Sequence, residues 1–105
     1  MATTGYATVG TNDTKRAVAF YDALLTPGGL GKAFDHPSGG RFYGRDGQLV
    51  FGVIGPFDKK PASVGNGSMT SFRCDSAAEV DAMHKKALEL GGKDEGAPGD
   101  RTPNL

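Results

Sequence analysis

The sequence carries no surplus of charge: its twelve Lys and Arg residues are matched by twelve Asp and Glu. A basic stripe able to follow a phosphate backbone or an anionic bilayer is therefore missing, and nucleic acid is not an expected partner. Cysteine is scarce as well. Cys74 stands alone, which excludes an internal disulfide, and the two histidines, His36 and His84, lie too far apart to build a zinc cluster with it. Cys74 reads as a small buried hydrophobe rather than a reactive thiol. No run of about 18 apolar residues is present for a spanning helix. The opening MATTGYATVG has neither the positive start nor the apolar centre of an export signal. A cytoplasmic protein without a membrane partner is the expectation. Phosphate-cradling G-x-G-x-x-G and P-loop patterns, the G-x-S-x-G nucleophile turn and the H-E-x-x-H metal helix are all missing too.

What is abundant is glycine, seventeen in 105 residues, placed mainly between periodic segments and so marking turns. The length fits one domain, residues 1–105. Ala17, Phe20, Tyr21 and Leu24 recur at i, i+3, i+4 and i+7, one stripe of an amphipathic helix. Asp13 precedes it as an N-cap, and Pro27, Gly28 and Gly29 end it. Ahead of the cap, YATVGT alternates and is rich in β-branched residues, the pattern of a strand.

The same unit recurs at an offset of 63 residues, which brings Asp13 onto Ser76, Ala17 onto Val80, Phe20 onto Met83, Leu25 onto Leu88 and Gly28-Gly29 onto Gly91-Gly92. Ser76 and Glu79 have capping-box spacing, and MTSFRC before them reads as a strand. Between the units, KAFDH, RFYGR and QLVFGVI read as three strands separated by PSGG and RDGQ turns. The expected organisation is a first unit over 5–55, a linker over 56–67 rich in Pro, Gly and Lys, and a second unit over 68–105. The second unit runs short. Residues equivalent to Tyr43 to Ile54 would fall past Leu105, so the expectation is an α+β fold of two strand-helix-three-strand units, the second incomplete. Either the chain is a shortened form of a longer protein, or a second subunit supplies the absent strands.

TVGTNDTKRAVAFYDALL, DGQLVFGV and SFRCDSAAEVDAMHKKALELGG together resemble the vicinal oxygen chelate superfamily, which holds glyoxalases, bleomycin resistance proteins and extradiol dioxygenases. The resemblance implies that each unit curls its sheet into a cup, two cups enclosing a small-molecule site. It also implies metal ligands, His or Glu, on the first and the closing strand of each unit, holding a divalent ion that acts as a Lewis acid. Carried over by position, those places fall on Tyr6, on Phe51 with neighbours Val50 and Gly52, and on Met69. Such side chains do not hold Mg²⁺, Ni²⁺, Fe²⁺ or Zn²⁺. No cofactor is therefore expected, the alternative being a divalent metal ion.

Alternation along the strands sends Ala7, Val9 and Thr11 under the helix and Tyr6, Thr8 and Gly10 into the cup. The same reasoning expects Leu49, Phe51 and Val53, and in the second unit Met69, Ser71 and Arg73, to line it. Tyr6, Thr8, Phe51, Met69, Ser71 and Arg73 are thus the candidate substrate-binding residues, with Arg73 a clamp for a carboxylate or phosphate. The competing reading makes Phe51 and Met69 core and Arg73 a solvated strand residue. His84 is a possible general base or a residue covering the sheet edge, and no catalytic residue is assigned. The function expected is binding of a compact, partly apolar molecule. The alternative is a metal-dependent lyase, isomerase or dioxygenase with ligands from a tail or partner subunit. Unpaired strand edges predict a homodimer.

Overall fold

The computed structural model describes residues 1–102, and Pro103, Asn104 and Leu105 lie outside the described residues. Two compact units divide the chain, Met1–Ser71 and Phe72–Leu105. The first contains β1 (Ala7–Gly10), α1 (Thr14–Leu25), β2 (Gly31–Asp35), β3 (Arg41–Arg45) and β4 (Gln48–Ile54); the second contains α2 (Ala77–Glu89). The four strands form one mixed sheet in the order β1-β4-β3-β2. β1 runs parallel to β4, α1 carries the chain from β1 to β2 at the opposite edge of the sheet, and β2–β3 and β3–β4 are antiparallel hairpin pairs.

Local chemistry accounts for each element. Asp13 caps α1, its carboxylate accepting from the Arg16 N–H at 3.0 Å. Past Leu25 the chain tightens into a 3-10 turn, Thr26–Gly28, and Gly29 reverses it at φ +92°. That left-handed conformation is one a glycine takes without a Cβ penalty. The RDGQ segment turns with both Asp46 (φ 53°) and Gly47 (φ 76°) left-handed, the backbone of a type I′ hairpin whose twist matches its strands. Gly40 is required by space, since a Cβ there would penetrate the Val53 carbonyl of the neighbouring strand.

The core lies between α1 and one face of the sheet. Leu24, Leu25, Leu30, Tyr43, Phe51 and Val53 are buried there, and the Phe51 ring meets Tyr21 of the helix at 4.9 Å between centroids. Polar links fix the helix at the same side. Asp22 on α1 accepts from the Tyr43 hydroxyl at 2.8 Å and pairs with the Arg41 guanidinium at 2.6 Å. Arg41 also bonds Asp35, which Lys32 holds from its other oxygen.

In the second unit Ser76 caps α2 as Asp13 caps α1, the Glu79 N–H donating to its hydroxyl at 3.1 Å. The two caps are the positions that the 63-residue offset brings together. Gly91, at φ +100°, ends the helix, with the Gly92 N–H returning to the Ala87 carbonyl at 2.8 Å. MTSFRC takes no strand conformation. Alternation gives that segment the composition of a strand, but a strand exists only as part of a ladder, and no described segment is laddered to it. No helix among the described residues is long and apolar enough to cross a membrane.

Candidate functional site

The face of the sheet turned away from α1 carries an aromatic cluster. Phe42, next to Tyr43 in β3, points opposite to it and is buried at 6% exposure. Gly52, its partner on β4, has no side chain, so the Phe42 ring lies across the space; a Cβ at Gly52 would meet that ring at 2.8 Å. The ring thereby reaches Tyr6 beyond β4, edge to face at 5.5 Å, while on its other side Phe34 of β2 stacks on it at 4.8 Å. Tyr6 and Phe34 remain 54% and 44% exposed. One buried ring thus backs two rings open to solvent.

His36 closes the cluster at the β2–β3 turn, 6.0 Å from the Phe42 ring. Its Nδ1 accepts from the Ser38 N–H at 3.1 Å and faces the Ser38 hydroxyl at 2.8 Å. That hydroxyl oxygen accepts from the Gly55 N–H at 3.0 Å, which ties the turn to the end of β4. A separate groove of about 680 Å³ runs beside β1, lined by Thr8, Gly10, Asn12, Ala62, Val64 and Ser68. Asn12 holds the far wall by a two-way amide pair with the Ala62 backbone, at 2.7 and 3.0 Å.

The residues expected from sequence divide as follows. Tyr6 and Thr8 do lie on the side of β1 away from the helix, both exposed. Phe51 does not join them, and Val53 follows it into the core. In the parallel register Ala7 faces Phe51 and Val9 faces Val53, and laterally paired residues project to the same face; because Ala7 and Val9 are on the helix side, so are their partners. The open-face positions of β4 are instead Val50, 37% exposed, and Gly52. Met69 and Ser71 are exposed and outside any strand in the first unit, and Arg73 is exposed in the second. Phe34, Phe42 and His36 were missed as a group. The signal was available: folding KAFDH back on RFYGR through the PSGG turn sets Phe34 against Phe42.

Several groups are shifted by these surroundings. Burial, reinforced by the bond to Asp22, pushes the Tyr43 hydroxyl well above its ordinary range, and burial raises Tyr21. Bonds from Lys32 and then Arg41 hold Asp35 below the usual carboxylate range. Cys74 is raised, first by burial and then by its bond to Glu79, so the thiol stays protonated. In the same unit His84 Nε2 stands 4.0 Å from Asp94.

The donor set does not suit a hard divalent ion. Among the described residues no three His, Cys, Asp or Glu side chains converge. The expected ligand places hold a phenol packed edge-on to Phe42, a ring buried under α1 and an exposed thioether. His36 has already committed its Nδ1 lone pair to Ser38.

No family model and no curated protein matches the chain. Among solved structures it is similar to a glyoxalase/bleomycin resistance protein from Albidiferax ferrireducens T118, at 34% identity with a TM-score of 0.81. The match covers 93% of this chain and 81% of that one.

Proposed function

The chain belongs to the glyoxalase/bleomycin resistance protein family, within the vicinal oxygen chelate superfamily, and from that premise we propose that it binds a compact, partly apolar molecule on the open face of its first-unit sheet. The observation that carries the reading is the Tyr6–Phe42–Phe34 cluster, in which two solvent-exposed rings each pack on the buried Phe42. Exposed rings backed by a rigid buried one form a preorganised apolar surface, and each aromatic contact with a ligand ring contributes about 0.5–1.5 kcal/mol beyond area burial. Membership of the family does not carry a reaction with it, because activity resides in the site and not in the fold. Tyr6, Val50, Gly52 and Met69 provide no carboxylate or imidazole where the superfamily resemblance places metal ligands, so no reaction step is derived through a metal. Binding without metal-dependent turnover is the function these residues support.

The proposal includes a homodimer. β1 has a strand neighbour on one side only among the described residues, and free edge donors and acceptors favour pairing with a second copy. Sedimentation equilibrium gives a twofold mass if this holds and the monomer mass if it does not.

Binding is tested by titrating ¹⁵N-labelled protein with small ring compounds such as naphthalene-2-sulfonate and benzamide. Shift changes are expected to concentrate at Tyr6, Phe34, Phe42 and Gly52. The same sample is assayed for metal after incubation with Mn²⁺, Ni²⁺ and Zn²⁺. Shifts confined to other surfaces, or one ion per chain retained through dialysis, overturn the proposal.

A further inference from the structure

We infer that His36 is the polar anchor of this aromatic face, donating a hydrogen bond through Nε2–H to an oxygen acceptor carried by the bound ring, so that the preferred ligands are aryl carbonyl or aryl carboxylate compounds. The inference rests on the proposed binding face and adds the ligand class to it. Its basis is the hydrogen bonding at the other ring nitrogen. A backbone N–H can only donate, so the 3.1 Å bond from Ser38 N–H makes Nδ1 an acceptor. The Ser38 hydroxyl, its oxygen already accepting from Gly55 N–H, is free to point its own proton at the same nitrogen, 2.8 Å away. Two donors on Nδ1 leave the ring proton of the neutral imidazole on Nε2. The tautomer is fixed by the turn, and the fixed N–H belongs to a ring 6.0 Å from Phe42, at the edge of the cluster.

This arrangement separates His36 from a metal-ligand histidine. Coordination through Nε2 requires that nitrogen to give up its proton, and coordination through Nδ1 requires breaking the bonds from Ser38. A donor with fixed direction beside an apolar floor is what selects among ligands of similar shape, since a ring without an acceptor leaves the N–H unpaired.

The test has two readouts. Long-range ¹H–¹⁵N spectra of the His36 ring are expected to show Nδ1 as the bare nitrogen and Nε2 as the protonated one at pH 8; the reverse assignment overturns the inference. Affinities are then measured by NMR titration for three matched probes, acetophenone, benzoate and benzyl fluoride, the last a ring with no strong acceptor. His36→Asn keeps an acceptor for the Ser38 N–H, as Asn does in turns, and withdraws the ring donor. It is expected to weaken acetophenone and benzoate by roughly five- to tenfold, the net worth of a neutral to charge-assisted hydrogen bond, and benzyl fluoride by less than about twofold. A larger loss for benzoate than for acetophenone assigns the carboxylate as the preferred acceptor, a larger loss for acetophenone assigns the carbonyl oxygen, and equal losses show that the donor serves both alike. Equal affinities of wild type and His36→Asn for all three probes, with shifts still at Phe34 and Phe42, remove His36 and leave the binding face standing. No binding of any probe at that face overturns both. Ser38→Ala serves as the second variant: loss of one donor on Nδ1 is expected to mix the two tautomers and produce a smaller loss for the same two probes.

Discussion

Truncating Phe51 to alanine separates a core ring from a ligand-contacting one. Phe51 is 1% exposed and its ring is packed between Tyr21, at 4.9 Å, and Tyr43, at 6.3 Å, beneath α1. Removing a ring from such a place costs about 3–5 kcal/mol, transfer and cavity terms together. A chain of this size has only about 5–15 kcal/mol to lose. With a urea dependence of about 1–3 kcal/mol per molar, the midpoint falls by on the order of 2 M. Phe51→Leu retains most of the volume and is expected to cost less than about 1.5 kcal/mol. Phe34→Ala, by contrast, removes a ring already 44% exposed and should cost roughly 1 kcal/mol, while weakening ring-probe binding at the open face. Urea unfolding followed by far-ultraviolet circular dichroism, with probe titration of each variant, reads both effects. A Phe51→Ala midpoint within experimental error of wild type, coupled with lost probe binding, would place the ring on the open face and refute the register argument.

Asp22→Ala leaves the Tyr43 hydroxyl and one arm of Arg41 without their carboxylate, and a loss of about 1–3 kcal/mol in chemical unfolding is expected. Gly40→Ala drives a Cβ into the Val53 carbonyl, so β3 and β4 must separate; failure to fold, seen as a collapsed amide spectrum, is expected. Raised tyrosines give an alkaline limb. Tyr43 and Tyr21 keep their protons to higher pH folded than unfolded, so their stability contribution is complete below pH 10 and falls as pH rises above it; Tyr43→Phe flattens that fall. Cys74, held protonated by burial and Glu79, should react with Ellman's reagent at pH 7 far more slowly than in urea, and equal rates would contradict the assignment.

Short-range features were legible where one interaction of fixed spacing dictates them. RFYGR and QLVFGVI coincide with β3 and β4, because the DG turn admits a single tight hairpin geometry. Asp13 and Ser76 cap their helices because a side-chain oxygen three residues before a free N–H needs no tertiary partner. The MTSFRC segment shows the limit of the same approach: its alternation expresses a preference that backbone pairing has to complete. The sequence assigns His36 no role beyond excluding a zinc cluster, since its meaning depends on Ser38 and on Gly55, seventeen residues further along from Ser38.

The order of strands and helix in the first unit, the two capped helices and the kinship with the glyoxalase/bleomycin resistance group were determined by the sequence alone, because periodicity, turn chemistry and capping act over a few residues. Which face each side chain of β4 presents was decided only in three dimensions. Alternation says that Phe51 and Gly52 point oppositely, and it is the parallel register with Ala7 and Val9 that sends Phe51 into the core. That same choice leaves Gly52 as the gap across which Phe42 reaches Tyr6, so the aromatic face exists through a long-range pairing that no local pattern encodes.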